Sequence, residues 1–121
     1  MSIAMQERKE PDFISFQNVG DRIEGRLLSI ETIAVRNGQC NRYTFDLLNG
    51  ERKALLGTAK IDSLVSGDDI FHLVFIAFTG SNQAVGMDRG NAMKEFKVGV
   101  SERPVRRVKQ GDKWEWVEVS D

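Results

Sequence analysis

The chain has 121 residues, enough to bury a core as one domain without disulfide or metal staples. Hydrophobic residues at 40% and charged residues at 29% match a soluble globular protein, no apolar run is long enough to span a bilayer, and one cysteine allows no internal disulfide. A net charge of −1 argues against a uniformly basic nucleic-acid binder.

The first 16 residues are polar and mixed in charge, and a flexible N-terminal segment is expected there. Within it, Phe13, Ile14 and Phe16 follow the break at Pro11 as a candidate edge strand or clasp. The segment lacks the apolar stretch of a secretory signal, so a cytoplasmic location and no membrane partner are expected. Asn18–Asp21 then reads as a turn that launches a long strand, ending at Val35. Ile23, Gly25, Leu27 and Ser29 share one of its faces, and Arg22, Glu24, Arg26 and Leu28 the other. Gly25 inside that strand implies a bulge, a bend or a close backbone neighbour, and a bend suits a strand that must serve two sheets.

Asn37-Gly38 is a hairpin signal, and Tyr43, Phe45 and Leu47 alternate with Arg42, Thr44 and Asp46 in the second strand. Asn49-Gly50 makes the next hairpin into a third strand, Arg52–Thr58, in which the inward face is left open. Lys60–Ser66 is the only helical run, with Ile61, Leu64 and Val65 on one face, Thr58 as N-cap and Gly67 as a left-handed C-terminal residue. Such a short helix must plug the end of something larger. The fourth strand, Asp69–Thr79, is apolar on both faces, as though the C-terminal segment or a partner subunit covers its outside. A polar, glycine-containing loop (80–91) leads to the fifth strand, Lys94–Ser101. After Pro104, Val105–Val108 and Trp114–Val119 flank Gln110–Lys113 as a further hairpin, with Trp114 and Trp116 on one face.

Catalytic chemistry finds little support, and no enzyme is expected. His72 is the only histidine and sits within an apolar strand; Cys40 has no activating neighbour in sequence. Together they cannot build a usual zinc site, and no glycine-rich phosphate-binding motif is present, so neither metal nor cofactor is expected. The charge, however, is segregated: basic residues cluster over 36–60 and 103–113 while acidic ones collect at both ends. Aromatics at period 2, including Tyr43, Phe45, Phe71, Phe75 and Phe96, are expected in the core.

Five strands with one short helix between the third and fourth is the order of an OB-fold. The expected fold is therefore an all-β, five-stranded Greek-key barrel over residues 17–103, with a C-terminal hairpin extension over 104–121. The runs VGDRIEG (19–25), NRYTFDLLN (41–49), GDDI (67–70) and KEFKVGV (94–100) resemble the small OB-fold single-stranded DNA-binding proteins of phages and mobile elements. The resemblance implies a binding face along strands one to three. It is flanked by a first loop with Arg36, Asn37, Asn41 and Arg42 and a later loop with Asn82, Gln83, Arg89 and Asn91.

The expected function is non-catalytic binding of single-stranded nucleic acid. Arg22, Arg26, Arg36, Arg42, Lys53, Arg89 and Lys94 would meet phosphates, Asn37 and Asn41 would hydrogen-bond, and Tyr43, if a shifted register turns it outward, would stack. The alternative is a structural subunit of a phage or multiprotein assembly, as a homo-oligomer or with a protein partner, through an interface at Trp114 and Trp116.

Overall fold

Apolar residues at every second position give the central strands one dry face, and that face curls around a core. The structure, a computed structural model, describes residues 12–82 and 93–119. Its elements are β1 (Asp12–Ile14), β2 (Arg22–Val35), β3 (Gly38–Asp46), β4 (Arg52–Leu56), α1 (Ala59–Leu64), a 3₁₀ turn (Gly67–Asp69), β5 (His72–Asn82), β6 (Met93–Gln110) and β7 (Lys113–Glu118). The strands form one curled, half-barrel sheet in the order β1-β4-β3-β2-β5-β6-β7. Neighbours are antiparallel except β1 and β4, which run parallel. Among the described residues no helix is long and apolar enough to cross a membrane.

Local turn chemistry builds the meander. Gly50 takes φ 90°, its N–H donates to Leu47 O at 2.9 Å, and Glu51 N–H donates to Asn49 Oδ1 at 2.9 Å. In the other hairpin the turn is Arg36-Asn37, and Gly38, at φ 139°, is the first residue of the returning strand. The glycine thus follows the turn instead of lying in its centre.

β2 serves two partners, pairing with β5 over Arg22–Arg26 and with β3 over Arg26–Val35. An irregularity between Leu27 and Ser29 makes the change, so Ile30 packs against the core opposite Tyr43 in the place expected for the Ser29 face. Gly25 answers a different need. A methyl group there would lie 2.9 Å from Asp46 O and 3.0 Å from Leu47 Cδ2, so it is the close approach of β3, not a bend, that requires glycine. Leu27, Tyr43, Phe45, Ile61, Val74 and Ile76 are all at most 1% exposed. Burying a side chain of that size stabilises by roughly 1.5–3 kcal/mol.

β4 and β6 are not hydrogen-bonded neighbours. α1 and the N-terminal strand fill the gap. Thr58 caps α1, its Oγ1 accepting from Ile61 N–H at 3.3 Å, and Ile61 and Val65 point into the core while Leu64 is 43% exposed. Gly67 opens the 3₁₀ turn and does not cap α1, which ends on Val65 in extended conformation. Phe16 stacks edge-on against Phe96 at 5.2 Å, and Lys94 Nζ donates to Phe16 O at 2.8 Å. A cavity of about 290 Å³ remains between Phe13–Phe16, Leu55, Ile61 and Phe96.

β6 runs without interruption across residue 104, where a separate hairpin was expected to start. Proline is tolerated there because the strand is changing partners: His72 pairs with Pro104, and Val105 is already opposite Glu118 of β7. Val105 N–H donates to Phe71 O at 2.8 Å, and Pro104 O accepts from Val119 N–H at 2.8 Å.

Candidate nucleic-acid interface

Because Ile23, Gly25, Leu27, Tyr43 and Phe45 face inward, Arg22, Arg26, Arg42, Thr44 and Asp46 face outward on the neighbouring strands β2 and β3. Arg22 is exposed; Arg36 and Asn37 are exposed at the hairpin tip. Arg42 lies opposite Glu31 and its Nη2 meets Glu31 Oε2 at 2.6 Å, so part of its charge is already compensated. Arg26 places its guanidinium carbon 4.6 Å over the ring of Phe71. On β4 it is Arg52 that shares this outer face. Lys53 pairs with Phe45, on the inward side, between β3 and the edge strand β1, with Glu51 3.8 Å away, which corrects its expected place on the outer face. Lys94 is a second correction: it clasps the N-terminal segment and sits 5.6 Å from the Phe78 ring, away from the outer face of β2 and β3. Arg89, Gln83 and Asn91 lie outside the described residues, and Asn82 is placed only by its backbone in β5.

Tyr43 cannot serve as a stacking platform in this structure. It is 1% exposed, and its hydroxyl donates to Asp62 Oδ1 at 2.5 Å. Burial, then the hydrogen bond and charge of Asp62, push its phenol pKa well above the ordinary value of 10.0. Asn41 is drawn into the same network: its Nδ2 donates to Asp62 Oδ1 at 3.2 Å and its Oδ1 accepts from Thr32 Oγ1 at 3.0 Å. Gly57 leaves room for it, since a methyl at that position would collide with Asp62 Oδ1 and lie 2.6 Å from Tyr43 Cε2. The network ties α1 to β3.

The aromatics that do face solvent are elsewhere. Phe71, expected in the core, is 47% exposed at φ 73°. Its backbone is held from both sides, N–H to Leu27 O at 2.6 Å and carbonyl to Val105 N–H. A non-glycine residue in this region costs on the order of 1–3 kcal/mol, which neighbouring structure must offset. Trp114 is 42% exposed, with Arg107 Cζ 4.7 Å and Lys109 Nζ 5.8 Å from its ring. Arg107 also donates to Leu47 O at 3.3 Å, bringing the β6–β7 hairpin against the β3–β4 turn. Trp116 is half-buried on the same face of β7. Arg107 and Lys109 were within reach of sequence reasoning: the Gln110–Lys113 turn fixes a register that sets Lys109 opposite Trp114 and Arg107 opposite Trp116. Phe71 was not, because both faces of its strand are apolar.

His72 Nδ1 lies 2.7 Å from Ser101 O, and Cys40 pairs across from Ile33. Among the described residues no three His, Cys, Asp or Glu side chains group to hold a metal ion. Comparison with protein-family models, with curated proteins and with solved structures gives no match.

Proposed function

We propose that this protein binds single-stranded nucleic acid, foremost single-stranded DNA, without catalysis, on the outer face of β2 and β3. The strand order β4-β3-β2-β5-β6, with α1 between β4 and β5, supports reading the half-barrel as a variant OB-fold in which β1 and α1 occupy the unclosed seam. The observation that carries the functional reading is the Arg26–Phe71 couple: a half-exposed ring under a guanidinium, on a face that also presents Arg22, Arg42 and Arg52. Bases stack on such rings at about 1–3 kcal/mol each, and the surrounding cations neutralise phosphate and release counterions. Fluorescence anisotropy of a labelled mixed-sequence oligonucleotide tests this. Affinity is expected to fall steeply as salt rises, and Phe71→Ala to weaken it; absence of binding at low salt refutes the proposal.

A second reading, a subunit of a protein assembly, is favoured by a different observation. β1 and β7 end the sheet with one edge each unpaired among the described residues, and Phe13 on β1 is 50% exposed. Edges of this kind accept an added strand. Sedimentation showing a concentration-independent monomer would remove it.

A further inference from the structure

Resting on the reading above, we infer that the β6–β7 hairpin carries a base-binding subsite of its own, in which one unpaired nucleobase stacks at Trp114. This hairpin is built from β7 and from the C-terminal part of β6, beyond the residues that pair with β5. One face of it carries Val105, Arg107 and Lys109 on β6 opposite Glu118, Trp116 and Trp114 on β7. Val105 is buried and anchors the base of the row.

Four observations converge on Trp114. The indole is half-exposed, whereas an aromatic of that size without a role at the surface is ordinarily covered. The Arg107 guanidinium is packed over the ring and donates through Nη1 to Leu47 O, so the indole is backed by a cation already in position. An open cleft of about 360 Å³, larger than a nucleobase, borders the indole and is walled by Leu48 and Asn49 of the β3–β4 turn and by Lys113. Asn49, which lines it, accepts from Glu51 N–H through its Oδ1, and its Nδ2 is a donor that a base carbonyl oxygen can accept. Arg107, Lys109 and Lys113 form no ion pair among the described residues, in contrast to Arg42 and Lys60. Glu115 lies on the opposite face of β7, and Glu118 at the far end of the row, beyond Trp116.

Ring, cations and amide donor match the needs of a base with its flanking phosphates better than those of an apolar peptide. The turn that walls the cleft, Leu47–Gly50, continues directly from Asp46, which pairs with Arg26. Phe71 O also accepts from Val105 N–H at the base of the hairpin, so backbone contacts link the hairpin to the Arg26–Phe71 couple.

The test uses the full chain, a labelled oligothymidylate and its uridylate counterpart, in anisotropy titrations of the native protein, Trp114→Ala and Trp114→Phe. A 5-iodouracil oligonucleotide is cross-linked by light in parallel and the attachment mapped by mass spectrometry. Binding weakened about 5- to 100-fold by Trp114→Ala, largely restored by Trp114→Phe, and a cross-link at Trp114, is the expected result. Equal affinity of the two strands would show that neither the 2′-hydroxyl nor the thymine methyl group is read, as expected of stacking joined to phosphate contacts. Native binding unaltered in Trp114→Ala, with cross-links confined to β2 and β3, overturns this subsite and leaves the general proposal standing. No oligonucleotide binding by the native protein overturns both. Self-association that Trp114→Ala abolishes, with no oligonucleotide effect, overturns the subsite in favour of a protein interface.

Discussion

Tyr43 and Trp114 are both aromatic residues with a polar handle, on strands of the same sheet, and the fold uses them in opposite ways. Tyr43 is enclosed, its hydroxyl committed to Asp62, its ring packed against the glycine that makes room for it. Trp114 stands half-exposed at the mouth of a cleft, with the cations of Arg107 and Lys109 at its ring. The difference teaches that an aromatic's role is set by what neighbouring elements place beside it. α1 supplies a carboxylate and a lid at one end; β6 supplies a guanidinium and an ammonium at the other.

The contrast can be broken most severely at Tyr43. Tyr43→Ala is expected to lower stability by about 3–5 kcal/mol, measured by urea denaturation, because it leaves a core cavity and strands Asp62 beside it. Tyr43→Phe keeps the packing and loses the hydrogen bond, at about 1–2 kcal/mol. It also changes the alkaline limb. The folded phenol titrates above its unfolded value, so its contribution is fully present below about pH 10 and is lost as pH rises beyond it. The native protein is therefore expected to lose stability above that pH relative to Tyr43→Phe; parallel curves would refute the burial of this proton. Gly57→Ala comes next, at about 1–3 kcal/mol, since the new methyl must displace Asp62 or the Tyr43 ring. Trp114→Ala should have the smallest effect, within about 1 kcal/mol on stability. A cost as large as that of Tyr43→Ala would show that the indole is a core residue and dissolve the comparison.

Much of the closed end was legible in the sequence, because its signals are local. Asn49-Gly50 dictates a hairpin by its own backbone preferences, Thr58 is a cap three residues before the N–H it accepts from, and Tyr43, Phe45 and Leu47 alternate without a break. The open end was harder to read for a physical reason. Its geometry depends on where strands change phase or partner, and those points carry no distinctive residue. The irregularity at Leu27–Ser29 turns Ile30 inward, and nothing in Leu-Leu-Ser-Ile announces it. Lys53 and Arg52 are both basic, so only pairing with Phe45 and Asp46 tells which faces outward. Phe71 follows a 3₁₀ turn and takes a conformation that phenylalanine seldom adopts, held there by carbonyl and amide partners 44 and 34 positions away (71 − 27 and 105 − 71). Pro104, which looked like a boundary, lies in the middle of the longest strand.

The placement of the three indole and phenol rings also decides what light can report about this molecule. Both tryptophans are in β7, and the single tyrosine is in the core. Intrinsic emission excited selectively at tryptophan therefore follows the hairpin, while the backbone dichroism of the sheet follows the half-barrel. Coincidence of the two melting curves would show that hairpin and barrel come apart as one cooperative unit, and a tryptophan transition at lower temperature would show the hairpin detaching first.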